Sequence, residues 1–471
     1  MQSRTLWLAA LVALFILVGR SAAQTDPEPK DGKVVYPITL TPKPYLKPIS
    51  RVYLLPELRE AIPGNRVQMF LRCFMEQDNF FGRAESEKRE KWSQMPLKDL
   101  PAAELKNYGG RLIESDMYDA ARMTHADWQV WYFVRRDGYY ALLPDVQKMR
   151  TLASALKTRI RGEIAAGNVD GAIHDLKTFF GLAKTLEDHP TLIGQLVGLA
   201  IATIAVNAVE ELIQQPNCPN LFWALTDLPS PLFSLRAGLE GERMFVRADF
   251  EEFDSSTIPL PDSVVLKKIE KYDKLLDMEG GKRAKTDVEW KASLQARAAD
   301  GSEVKAARTR LIEAGLKPEN VNVWSPLHVV LLDEVMLYER MRDDVTKTLN
   351  LPFWRAKPAM VEAEAELKKV MEKSRFLELL SAFFKVKQAQ SRLDQRIAYL
   401  QIMEALRLHA LLNGGSLPAS LSDMKLPLPV DPFTGKPFQY SVKDGVATLH
   451  GENPLPGSDR MNRFYEVRIK E

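Results

Sequence analysis

Six histidines and a few carboxylate clusters are the side chains with which this chain could do acid–base or metal chemistry. Two places set a carboxylate beside an imidazole, as a general base or a metal site would. These are His125-Ala126-Asp127 and Asp188-His189. Read structurally, the first is a helix-end cap and the second a cation at a helix C-terminus, where the helix dipole favours it. The structural reading is preferred for both. His174-Asp175 lies off the apolar stripe of a helix, so His174 is expected to face solvent. The densest acidic run, Asp249-Phe250-Glu251-Glu252-Phe253-Asp254, could bind a cation or pair an acid with a base. It sits where a helix enters a polar loop, so a solvated face is preferred. Trp128, Trp131, Tyr132, Phe133, Tyr139 and Tyr140 could line a ligand groove, but core packing between neighbouring helices is the preferred reading.

The chain has no His-Glu-x-x-His, no Gly-x-Ser-x-Gly elbow, no Gly-rich phosphate loop and no Cys-x-x-Cys pair. No catalytic residue and no cofactor is therefore assigned. Its only cysteines, Cys73 and Cys218, both lie in apolar contexts. A disulfide between them and two small buried residues are both left open. Lys plus Arg number 64 against 62 for Asp plus Glu, a net charge of +2. That balance argues against a nucleic-acid or polyanion binder, which normally carries a basic excess. The one basic stretch, Lys282 to Lys291, is interrupted by Asp287 and Glu289 and reads as a solvated face.

The elements that would position any site are mostly helical. Residues 1–23 have the three parts of a secretory signal: a positive start at Arg4, an apolar run from Leu6 to Val18, and small residues at Ser21 and Ala23. Cleavage is expected after Ala23, with an uncleaved membrane anchor as the alternative. No cysteine follows the apolar run to take a lipid. Residues 24–50 are rich in proline and read as an extended linker.

A helical domain is expected over 51–253, a polar and mobile insertion or joint over 254–316, a helical segment with a long last helix over 317–413, and a β module over 414–471. Within the first, the apolar spacing predicts a helix from Asp145 to Ala166, a turn at Gly167-Asn168, and a second helix from Val169 to Leu186. So short a turn makes the two an antiparallel pair. Thr191 to Ile213 is the most apolar internal segment and is expected as a central buried helix, its small residues admitting close neighbours. Further helices are expected from Pro231 to Glu252, Val264 to Leu276, Glu303 to Ala314, Leu327 to Thr348 and Val361 to Leu412, the last broken near Ser374 or Ser381. Alternating strands are expected at Phe438–Val442, Val446–Leu449 and Phe464–Ile469, with a hairpin at Lys443-Asp444-Gly445.

Two stretches resemble known families. Gly167-Asn168-Val169-Asp170-Gly171-Ala172-Ile173, with Leu176 and Phe179, is similar to half of a tetratricopeptide (TPR) unit, with no second copy at a fixed period. Ala405 to Tyr440, with Asn413-Gly414-Gly415, Leu417-Pro418 and Val430-Asp431-Pro432-Phe433-Thr434-Gly435, resembles the C-terminal module of type II secretion pseudopilins. That resemblance makes Asp431 a weak candidate calcium ligand. The chain departs from pseudopilins at its N-terminus, where Thr5 to Val18 contains no Glu. As a whole it resembles a class of exported bacterial TPR-like α-helical proteins that carries no activity to transfer.

The reading is thus a mainly α, irregular helical-hairpin array with a small C-terminal antiparallel β module, periplasmic or extracellular. A binding or structural protein of the cell envelope, partnered by another envelope protein, is preferred. A helical enzyme with a site assembled from distant residues, and an accessory of an export or surface-assembly machine, are the alternatives. Contact with a membrane is expected only through an uncleaved N-terminal segment.

Overall fold

A computed structural model describes residues 29, 31–75, 78–137, 143–279, 290–371, 374–380 and 382–470. The signal segment 1–23, Tyr139, Tyr140, Gly280-Gly281, residues 282–289 of the basic stretch and Ser381 lie outside the described residues. Among the described residues, helices of ten residues or more are α1 (Arg83–Gln94), α2 (Pro144–Ala165), α3 (Val169–Thr185), α4 (Leu192–Ile213), α5 (Arg236–Asp254), α6 (Asp262–Glu279), α7 (Trp290–Ala299), α8 (Gly301–Glu313), α9 (Pro326–Thr346), α10 (Phe353–Met371) and α11 (Ala382–Leu412). The protein is mainly α with a small C-terminal β module, as the hydrophobic periods predict.

The α2–α3 hairpin forms where expected. Met149, Leu152, Leu156 and Ile160 of α2 are fully buried, as are Leu176, Phe179 and Phe180 of α3. Gly167 takes the turn at φ +73°, which a residue with a Cβ adopts only at a cost. Asn168 caps α3 by accepting the Gly171 N–H. Helix α4 then packs on α2, α3, α5 and α11. It is long and apolar enough to cross a membrane, yet 78% of its most apolar window is buried inside the fold, so it is the core helix of this chain. Close approach is bought with glycine: a Cβ on Gly198 would lie 2.4 Å from the Phe233 ring. On α5, a Cβ at Gly241 would lie 1.8 Å from the Pro190 carbonyl oxygen.

Three expectations are corrected. Residues 254–316 are not a loose insertion. Val265, Ile269, Tyr272 and Leu276 of α6, Trp290 and Leu294 of α7, and Leu311 of α8 are buried in the main core cluster that runs from Val34 to Val467. The long last helix is broken where expected, into α10 and α11 on either side of a 3-10 turn at Arg375–Leu380, but its start is corrected. Helix α10 begins at Phe353, ahead of the expected Val361, because Pro358 is accommodated inside it.

The third correction concerns the proline-rich linker. Val34–Leu40 is a strand, β1, with Val34, Tyr36, Ile38 and Leu40 buried. Strands β2 (Ile62–Asn65) and β3 (Met123–His125) pair with each other. Strands β4 (Gln439–Lys443), β5 (Val446–His450) and β6 (Arg463–Ile469) complete a sheet of order β1-β6-β5-β4, with β1 parallel to β6 and the other pairs antiparallel. Pro37 is tolerated because β1 is an edge strand. The hairpin turn lies at Asp444-Gly445, both at positive φ, as expected.

The β module is docked on the helices. Tyr399 of α11 stacks its ring 4.8 Å from both Phe438 and Tyr465, and Phe433 lies 4.7 Å from Phe353 of α10. The Tyr465 hydroxyl donates to Glu210 Oε2 on α4 at 3.0 Å, and Arg396 pairs with the same oxygen at 3.0 Å. Tyr465→Phe keeps the ring and loses this bond to a carboxylate, with the weaker one its hydroxyl accepts from Arg463 at 3.4 Å. It is expected to cost about 1.5–3 kcal/mol, read as a lower denaturation midpoint with unchanged circular dichroism.

Candidate functional site

A groove of about 950 Å3 lies between α7, α8 and α9, with Val370 and Ser374 also in its lining. Local capping signals set its walls. Asp300 caps α8 by accepting the Ser302 and Glu303 N–H groups, and Ser325 caps α9 by accepting the His328 N–H, with Pro326 in the first turn. The apolar run Leu327–Val335 of α9 buries that helix, and its interruption by Asp333-Glu334 sets two carboxylates in the groove.

Those carboxylates are held by arginines from the facing helices. Arg297 of α7 reaches Glu334 Oε2 at 2.8 Å, Asp333 Oδ2 at 2.6 Å and Glu303 Oε1 at 3.0 Å. Arg310 of α8 grips Asp333 with both nitrogens, at 2.7 and 2.8 Å, and reaches Glu303 at 3.0 Å. The other Glu334 oxygen accepts the Trp290 Nε1–H at 3.2 Å and the Ser374 hydroxyl. Burial raises the Glu334 carboxyl above the ordinary carboxylate range, with Ser374, Arg297 and Trp290 opposing. Met336, Leu337 and Val370 pack against the core and form an apolar floor. The acids at the base of the groove thus have cationic partners, bidentate at Asp333. That arrangement suits recognition better than proton transfer. A charged pair interrupting an apolar helix was the sequence signal that could have found them.

The residues singled out from sequence are not brought together. His125 is in strand β3 and exposed, not at a helix end, and Asp127 instead accepts the Gln129 N–H. His189 is fully buried and its Nδ1 accepts the Thr191 N–H at 3.1 Å. Burial drives its pKa down to about 3, so it is a neutral core residue and not a cationic dipole partner. His174 is exposed, as expected, and stacks 4.8 Å from Tyr118.

Asp249 is not simply solvated. It bridges α5 to α6 through Lys268 and Lys271, both at 3.1 Å, and the Tyr272 hydroxyl at 2.7 Å. Burial raises its carboxyl, but the two lysines and Tyr272 outweigh this and hold it below the usual range. Among the described aromatics of this group Trp128 is core, whereas Trp131, Tyr132 and Phe133 are 36%, 68% and 45% exposed, against the core reading. Their helix, Trp131–Asp137, is too short to bury more than one side. Cys73 and Cys218 are buried free thiols, each pushed up to about 12 by burial, so the disulfide left open is not formed. Asp431 is buried, and its oxygens accept N–H bonds from Phe433, Gln395 and Glu452 at 3.0, 3.1 and 2.7 Å. It organises the turn ahead of β4. No group of three or more His, Cys, Asp and Glu side chains among the described residues is placed to hold a metal ion.

One buried constellation escaped the sequence reading. Arg159 on α2 faces Glu163 at 2.9 Å, Asp175 on α3 at 3.1 Å and Glu114 at 3.1 Å. Glu163 and Asp175 are both fully buried, so two interior carboxylates share one guanidinium. Burial, with Glu163 and Glu114 adding to it and Arg159 opposing, pushes Asp175 up to about 7. The partners come from distant positions, so spacing alone could not reveal them.

This architecture defines a mainly α protein with a docked β cap and a charged, open groove. The chain matches no family model, no curated protein and no solved structure.

Proposed function

We propose that this chain is an exported protein of the cell envelope that binds another envelope protein in the groove between α7, α8 and α9. The observation that carries the reading is the groove itself. It is a concavity of about 950 Å3 with an apolar floor, and the carboxylates at its base are ion-paired to arginines of the same chain. Export rests on the tripartite N-terminus of residues 1–23. Two measurements test the proposal. N-terminal sequencing of the native protein should find Gln24 as the first residue, in the periplasm or beyond; an intact Met1 in a soluble cytosolic fraction defeats the export half. A photo-crosslinking residue at position 337, activated in intact cells, should give one dominant protein adduct in the envelope fraction. The same residue at exposed position 58, far from the groove, should give none. Equal or absent adducts at both positions defeat the binding half.

A further inference from the structure

We infer that the occupant of this groove is a basic amphipathic helix of the partner protein. The inference rests on the binding role proposed above and adds the chemistry of what is bound. The groove runs along α9 from Asp333 to Asp343, which at 1.5 Å per residue is about 15 Å, close to three helical turns. Helix α8 flanks it over a similar length, from Glu303 to Glu313. Two helices side by side, with an apolar floor of Met336, Leu337 and Val370 between them, leave a trough that a third helix completes.

Charge selects which helix. The lining carries seven carboxylates and four guanidiniums, although the whole chain is slightly basic at +2. The excess is not confined to the paired acids at the base. Glu313 is exposed on one rim with no ion pair, and Asp343 on the other keeps 62% of its side chain in solvent while touching Arg342. With Asp300 and Glu339 the outer lining carries four carboxylates against the two guanidiniums of Arg340 and Arg342, so it is acidic on balance. A helix with leucines on one side fills the floor, and lysines or arginines flanking that stripe meet the rims. An acidic helix of the same shape meets like charge.

The test uses the full mature chain and a fluorescein-labelled peptide of about 14 residues with leucines at i, i+3, i+4 and i+7 and lysines elsewhere. A glutamate counterpart is the control. The lysine peptide should bind saturably and at least about tenfold more tightly than the glutamate peptide. The double variant Glu313→Lys/Asp343→Lys, at two exposed positions, should weaken it about tenfold with unchanged circular dichroism. Leu337→Gln should weaken it as well. Equal binding of the two peptides, or a rim variant that binds like the wild type, overturns the inference. So does full displacement by spermidine, which would mark a small-cation site. If the adduct at position 337 forms in cells while the peptide arms fail, the binding role stands and the assigned chemistry is wrong. If no adduct forms, the binding role itself fails.

Discussion

Replacing Arg407 with methionine is expected to lower the stability of the protein by about 3–5 kcal/mol. Arg407 and Glu404 lie one turn apart on α11 with no exposed side-chain surface, joined at 2.8 Å. The guanidinium also donates to the Thr41 carbonyl at 2.8 Å and the Cys218 carbonyl at 2.6 Å. Glu404 in turn accepts the Leu221 N–H at 2.9 Å. One ion pair therefore ties the segment after β1 and the loop after α4 to the last helix. Methionine fills much of the same volume, so the cost comes from the stranded carboxylate and two unmet carbonyls, not from a cavity. Chemical denaturation should show the midpoint falling with an unchanged slope. A variant that also carries Glu404→Gln should recover part of the loss, because the stranded charge is gone. A single variant as stable as the wild type would show that the latch carries no net stability.

The second large effect is on pH dependence and comes from Asp175. Its folded pKa, about 7, lies above the ordinary value of 3.8, so the native state holds a proton that the unfolded chain releases. Below about pH 4 both states are protonated and the group contributes nothing. As pH rises from about 4 to 7 only the unfolded chain ionises, and stability falls. Above about 7 both are ionised and the loss levels off. At 1.36 kcal/mol per unit, the full loss is on the order of 4 kcal/mol. Asp175→Asn cannot ionise and should flatten this part of the curve, gaining on the wild type at pH 8 and matching it near pH 4. Asp394, which accepts the Leu232 N–H at 3.0 Å, is also pushed up to about 7 by burial. Asp394→Asn should flatten the curve independently, since the two sites share no partner. Melting curves between pH 4 and 8 check both, and parallel curves for the wild type and Asp175→Asn would mean that Asp175 is ionised throughout.

The residues differ in how legible they were beforehand. Local signals sufficed for the helices α2, α3 and α4, because a 3.6-residue apolar stripe, a glycine at positive φ and an Asn or Thr cap are all encoded within a few positions. They sufficed as well for the β4–β5 hairpin, where Asp444-Gly445 makes the turn almost alone. Strand β1 was hidden by its own composition. The alternation of Val34, Tyr36, Ile38 and Leu40 was present, but proline at 37 masked it, and its partner β6 lies more than 400 residues away. Helices α6 to α8 looked like a loose joint because each buries only a narrow apolar stripe, and that stripe packs against α9.

By itself, then, the amino-acid sequence determined the mainly α class, the central apolar helix, the turns and the C-terminal hairpin, since each depends on contacts between near neighbours. Only the tertiary structure decided which charges meet. Asp333 and Glu334 with Arg297 and Arg310, Glu404 with the Thr41 segment through Arg407, and Asp175 with Arg159 are pairings made across helices. Burial, not residue type, then sets what each charged group does: Asp249 among lysines is held ionised, whereas Asp175 beside Glu163 is pushed to keep its proton.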